Sequence, residues 1–225
     1  MRLEIIQGLQ IIIISLLSYV PTVTIAGWFE AWVAKKCDDD VAEQFGFLTI
    51  NPLAHFNVLG FGALLIGRLL GDYLPFFQGI PGWGRYIPLN PSEYSRWRAS
   101  IEFHARGFAH FVLAIAAMIF LIQCMKLGLI AADFSITTKA SPAWASIIQV
   151  LQFFYSQNVL LAIIYLAIGT FRSIVFYWYP DFYMFSAEHM FLGILVLFGV
   201  VMIAAEIFRF IIASIMALTI YLMIA

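Results

Sequence analysis

The sequence predicts an all-α polytopic membrane protein with about five to six membrane segments. Three observations predict it. Hydrophobic residues make up 63% of the 225 residues and charged residues only 11%. Mean hydropathy is +0.94, and apolar runs of about 20 residues, the length a helix needs to cross hydrocarbon, recur along the chain. A soluble domain of this size needs more polar surface than such a composition supplies. The whole of 1–225 reads as a single membrane domain, with a helical core over about 9–200 and an extra apolar C-terminal helix over about 201–225.

Taken in order, the first run covers 9–34. Its start, with one Arg and an apolar stretch, resembles a signal-peptide core, but the apolar character continues past Pro21 to Val33. We therefore expect a retained membrane helix kinked at the proline, whose freed carbonyl neighbouring helices can satisfy. The run 57–71 (NVLGFGALLIGRLLG) is apolar but short, rich in glycine and interrupted by Arg68. The connection 72–100 carries Pro75, Pro81, Pro88 and Pro91, which excludes a membrane helix and leaves an interfacial path or one covered by protein. Further spans fall at 107–131, 144–171 and 185–205. The run 207–225 is apolar on every face. It either spans or packs on a partner through Ala213, Ser214 and Ala217, small residues that permit close approach.

Aromatics gather where interfacial belts form: Tyr73, Phe76, Phe77, Trp83, Tyr86 and Trp97, then the run YWYPDFY at 177–183. If 57–78 dips in and returns, then Lys35, Lys36, Arg85, Arg96, Arg98 and Arg172 share one side. The positive-inside rule makes that side cytoplasmic and puts the N-terminus outside. The net charge of −1 excludes nucleic acid as a partner. Cys37, beside a charged loop, and Cys124, in an apolar run, form no disulfide framework.

Two segments carry a resemblance. AWVAKKCDDDVAEQFGFLTINPLAHFN at 31–57 and GWGRYIPLNP at 82–91 resemble signature stretches of site-2-protease-like intramembrane zinc metallopeptidases, in the small bacterial-type branch. The stretch from Ile50 through Asn51, Pro52, Leu53, Ala54, His55, Phe56 and Asn57 to Gly60 is similar to that family's LNPxxHxDPxG motif. Here Asn57 stands for the acidic residue and Val58 for the proline. Gly107-Phe108-Ala109-His110 looks like an altered GPxxN helix start. The resemblance covers 27–111 closely and 158–198 loosely. It implies a helical core with a re-entrant or interfacial loop.

The resemblance also implies a site, and that site is missing. The family's HExxH helix sets two histidines one turn apart on zinc, with a glutamate to activate the bound water. In register, Ala26 and Glu30 stand at the histidines and Gly27 at the glutamate. The family's later aspartate ligand falls at Ser173, beside Arg172. A methyl group and a hydrogen offer no donor atoms, and one carboxylate does not hold zinc. The resemblance further implies that positions 30 and 173 meet at one depth, which requires an even number of crossings between Lys35 and Ser100.

Alternative readings attach to the polar residues. His55, His104 and His110, with Glu30 or Glu102, could rebuild a metal site or simply form hydrogen bonds. His189 completes the histidines. Glu30, Glu102, Arg106 and Arg172 could line an ion path, or Glu30 could pair with Arg106 or Arg172 and replace zinc as a cross-link. Glu206 and Arg209 pair with each other or with an adjacent subunit. Asp38-Asp39-Asp40 reads as a solvated loop, since calcium-loop spacing is absent.

These readings lead to a catalytically inactive, pseudoprotease-like membrane protein that acts as a structural or assembly subunit of a larger integral-membrane complex. It would carry no cofactor and no small-molecule substrate. Its partners would be other membrane subunits and the bilayer, and the residues with a partner, groove or structural role would be Glu30, Asn51, Pro52, His55, Asn57, Trp83, Asn90, Pro91, Arg106, His110 and Arg172. The expected location is a bacterial inner membrane, or a mitochondrial inner membrane in a eukaryote. Alternatives are a pseudoprotease that binds transmembrane clients reversibly or regulates proteolysis, and an active protease with a displaced metal site.

Overall fold

The computed structural model describes residues 2–71, 73, 79–90 and 95–178. The expected spans at 185–205 and 207–225, His189, the Glu206–Arg209 pair, Pro91, Phe76 and Phe77 lie outside them. Among the described residues the secondary structure is helical, apart from an isolated antiparallel bridge between Ile130 and Ile136. The helices are α1 (Arg2–Lys36), α2 (Val41–Gln44), α3 (Pro52–His55), α4 (Val58–Leu70), α5 (Arg96–Lys126) and α6 (Pro142–Trp178). Three of them, α1, α5 and α6, are long and apolar enough to cross a membrane.

Helices α1 and α5 turn many of their small and polar residues inward. In α1, Ser15, Ser18, Tyr19, Thr22, Ala26 and Glu30 recur every third or fourth position and are buried, while Ile6, Leu9, Ile13 and Leu17 are exposed. Lipid tails are as apolar as leucine, so helices in a bilayer gain from close packing and hydrogen bonds rather than from hiding hydrocarbon. The same division holds in α5, with Ala99, Gly107, Ala114 and Ala117 inside and Phe111, Ile115, Ile119 and Phe120 outside. Gly107 and Gly169 let α5 and α6 approach closely. A Cβ on Gly107 would stand 2.7 Å from the Leu166 nitrogen, and one on Gly169 would stand 2.5 Å from the Phe103 carbonyl oxygen.

Contacts along the helices fix their directions. Asn158 on α6 reaches Thr22 on α1, and Gln149 pairs with Gln10, so α6 runs parallel to α1. Phe108 meets Phe29, Arg106 meets Glu30 and Arg98 pairs with Asp38, so α5 runs antiparallel to both. Lys36, Arg96 and Trp178 therefore share one end of the bundle, and Lys126 and Pro142 the other.

Between α1 and α5 the chain leaves the Lys36 end and comes back to it. His55 packs on Gly27, and Asn57 reaches the Tyr19 hydroxyl, about two turns further along α1. Asn57 caps α4 by accepting the Gly60 N–H at 2.9 Å, and α4 continues toward the N-terminal half of α1, where Arg68 shares a cleft with Ile11 and Ile14. The extended stretch 79–90 then retraces the path. Gly82 lies on Gly60 and Tyr19, Gly84 on Val23, and Ile87 on Ala31 and Ala34. Finally Asn90 donates its N–H to Asp39 at 2.8 Å. The Tyr19 hydroxyl donates to the Trp83 carbonyl at 2.7 Å. That carbonyl presses so closely on Gly60 that no side chain fits there.

Several expectations shift. Helix α5 begins at Arg96, inside the proline-rich connection, because Ser95 caps it by accepting the Arg98 N–H at 3.3 Å. It stops at Lys126 rather than 131, since Gly128 takes a left-handed φ of 70° and starts a short turn. Helix α6 extends at both ends beyond 144–171. The acidic run is not uniformly solvated: Asp39 is fully buried, accepting the N–H of Val41 at 2.9 Å as well as that of Asn90. Its carboxylate ties the start of α2 to the returning segment 79–90, a role the neighbouring aspartates mask in the sequence.

Candidate functional site

The residues singled out for chemistry converge around the middle of α1. Ala26 is 1% exposed and Glu30 is buried on the face turned to α5. Glu30 meets Arg106 as an ion pair, Nε to Oε2, at 2.8 Å, with both side chains 7% exposed. The N–H is not aimed along the carboxylate oxygen, so this is charge contact rather than a linear hydrogen bond. Arg106 uses its other nitrogens on the Arg85 carbonyl at 2.9 Å and the Tyr165 hydroxyl at 3.5 Å. One guanidinium thus joins α1, the returning segment 79–90 and α6. Of the two partners expected for Glu30, Arg106 is the one in contact. Arg172 instead stacks over Phe103, 4.3 Å from the ring centroid.

Position 27 carries the second feature. A Cβ on Gly27 would overlap the His55 ring, lying 3.1 Å from both Cε1 and Cγ and nearer still to Nδ1. The imidazole is fully buried in the notch the glycine leaves. Its Nε2 lies 2.7 Å from the Thr49 carbonyl, which can only accept, so Nε2 carries the proton. Nδ1 is left with a lone pair and no hydrogen-bond partner. Asn51 and Pro52 put the ring there. Asn51 caps α3 by accepting the Leu53 N–H at 3.1 Å, and Pro52 occupies the first turn, where no N–H is needed.

A buried polar chain continues from this point. His110 Nδ1 donates to Asn158 Oδ1 at 2.9 Å, and Asn158 Nδ2 donates to Thr22 Oγ1 at 2.9 Å and to the Phe154 carbonyl at 2.9 Å. The His110 ring stacks on Tyr165, with centroids 5.4 Å apart and planes 15° from parallel. Every polar atom of Asn158 is therefore matched inside the bundle, as groups away from water require. At the Lys36 end, Glu102 is fully buried beside the Cys37 thiol. Burial, and then the nearby Glu102 carboxylate, push the Cys37 thiol up from its ordinary range.

The structure separates other residues that the sequence reading joined. His104 turns away from His55 and His110, bonding the Ser100 carbonyl at 2.7 Å and Thr170 at 3.1 Å. Among the described residues, no group of three or more His, Cys, Asp or Glu side chains could hold a metal ion. Ser173 does not meet Glu30. It donates to Ser100 at 3.1 Å, almost two turns from Arg106 and about 9 Å nearer the Lys36 end. The α6 residue at the depth of Glu30 is Tyr165. Trp83 contributes through its carbonyl rather than its half-exposed ring, and Asn90 through its backbone N–H. The sequence pattern did not mark out Tyr19, Thr22 and Tyr165, and it offered Asn158 only as the start of the later similar stretch. The available signal was their position: polar groups within apolar runs must find partners.

Chemically, the arrangement closes space rather than opening it. A salt bridge, an inserted imidazole and a satisfied amide chain occupy the interior faces of α1, α5 and α6. Comparison of the chain with protein-family profiles, with curated proteins and with solved structures finds no match.

Proposed function

We propose that this membrane protein is a catalytically inactive relative of the site-2-protease-like metallopeptidases, serving as a structural or assembly subunit of a larger membrane complex. One observation carries the reading: the positions where that family would place its zinc ligands and base are filled by protein. The His55 ring lies in the space of a side chain at Gly27, and Glu30 is neutralised by Arg106 rather than left to bind a cation. Such cross-links suit a scaffold, because they hold three helices together without a metal. On this reading the chain over 52–90 is a re-entrant loop, the Lys36 end faces the cytoplasm by its excess of Lys and Arg, and the membrane is a bacterial inner membrane.

The test is purification of the full chain in mild detergent, with mass spectrometry of what accompanies it. A stoichiometric integral-membrane partner is expected. Isolation as a lone monodisperse species would overturn the subunit role. Peptidase activity abolished by a chelator would overturn the inactive assignment.

A further inference from the structure

Away from the filled site, the opposite end of the bundle holds a cleft of ≈ 550 Å³ between α1, the end of α4 and α6. Six of its nine lining residues carry polar or charged side chains: Arg68, Gln7, Gln10, Gln149, Gln152 and Ser156. Ile11, Ile14 and Phe153 complete the wall. This is an unusual set for a surface formed by membrane helices, where glutamine and arginine are costly unless they bind something.

Arg68 is the only charged group in the lining. Among the described residues no carboxylate pairs with it. The face of its guanidinium is covered by Phe153, 4.2 Å from the ring centroid, which leaves the in-plane N–H fork for a ligand. The amides add donors. Gln149 accepts from Gln10 through Oε1 at 2.9 Å, so its own NH₂ is unspent in that pair. Gln152 uses Nε2 on the Phe134 carbonyl at 2.7 Å, which ties α6 to the 127–141 turn.

We propose that this cleft binds the phosphodiester of a membrane phospholipid, with Arg68 as the principal contact. The lining offers a single positive charge and no negative one, which complements a monoanionic phosphodiester. Planar donors at the rim match its two free oxygens. Free phosphate shares that chemistry, but two features favour the lipid. Ile11, Ile14 and Phe153 give the cleft an apolar wall, and the exposed residues Ile6, Leu9 and Ile13 on the same stretch of α1 give acyl chains a path along the helix. The proposal is independent of the inactive-protease reading and survives its failure.

The experiment is native mass spectrometry of the full chain in mild detergent, titrated with dioleoyl phosphatidylglycerol. One retained lipid per chain is expected, and dioleoylglycerol, which lacks the phosphate, should not compete for it. Arg68→Ala should weaken retention about tenfold, the effect of losing one or two charge-assisted hydrogen bonds, and Arg68→Lys should recover part of it. Where Arg68→Ala does not fold, Gln149→Leu decides instead, with weaker retention expected. Equal retention by the folded variants would overturn the site. Displacement of the lipid by excess inorganic phosphate would overturn the lipid assignment in favour of the free ion.

Discussion

Replacing Arg106 by leucine tests the central cross-link. In the native protein its guanidinium lies 2.8 Å from Glu30, both side chains being 7% exposed, and bonds the Arg85 carbonyl at 2.9 Å. Two charges at about 4 Å and an effective dielectric near 20 attract by about 4 kcal/mol. Desolvation offsets much of that gain while the pair is intact. Once one partner is removed, the remaining charge is buried without compensation, and the cost is about 3–5 kcal/mol. At roughly 2–4 °C per kcal/mol for a chain of this length, Arg106→Leu should lower Tm by about 10 °C. Glu30→Leu should do the same for the mirror-image reason. The double replacement removes both charges and should regain most of the loss, giving a coupling of at least about 2 kcal/mol. Tryptophan fluorescence melting in detergent provides the readout, since Trp28 and Trp32 stack on α1 beside Glu30, 6.4 Å apart. Additive losses, with the double variant as unstable as the sum of the singles, would refute the reasoning.

Gly27→Ala offers a test of sign. In an ordinary helix interior the change stabilises by about 1 kcal/mol, but here the new methyl meets the His55 ring, and overpacking costs about 1–3 kcal/mol. Melting should therefore show destabilisation, turning into stabilisation when the same change is made in a His55→Ala background; a gain in both backgrounds would mean the notch is not filled. Asp133, in the turn before α6, accepts the Ser135 hydroxyl at 2.6 Å and its backbone N–H at 2.9 Å, which hold its carboxyl below the usual range. Because the folded pKa is depressed, the turn is supported above the ordinary carboxylate value and loses that support as pH falls through the depressed one. Ser135→Ala should raise the Asp133 midpoint in a carboxyl-carbon NMR titration, and an unmoved midpoint would show that the hydroxyl contributes nothing.

The Glu30–Arg106 pair shows how far residue types alone could lead. Ionisable residues inside apolar runs must be paired, so a cationic partner for Glu30 was legible, and Arg106 was one of two candidates. Choosing between them needed the antiparallel register of α1 and α5, which brings Arg106 opposite Glu30 and sends Arg172 to Phe103. His55 stood out by its motif, yet nothing in the sequence tied it to Gly27. That contact joins residues in separate elements, and its cause is the absence of a side chain, which leaves no trace in a hydropathy pattern. Ser173 failed as the partner position because a short anchor does not fix helical phase, and a slip of two turns along α6 costs nothing in composition.

The sequence by itself determined that this is a membrane protein whose described residues are helical, that three of its apolar runs form long helices, and that Ala26 and Gly27 carry no donor atoms. Those properties are local: hydropathy summed over a window and the chemistry of single side chains decide them. Only the tertiary structure decided what packs against Gly27, that residues 79–90 run back to the Lys36 end, and that Asp39 and Asn158 are buried connectors. Each depends on depth and rotation about a helix axis. Lipid gives every apolar face nearly the same free energy, so those are set by small residues meeting and polar groups finding partners across the bundle.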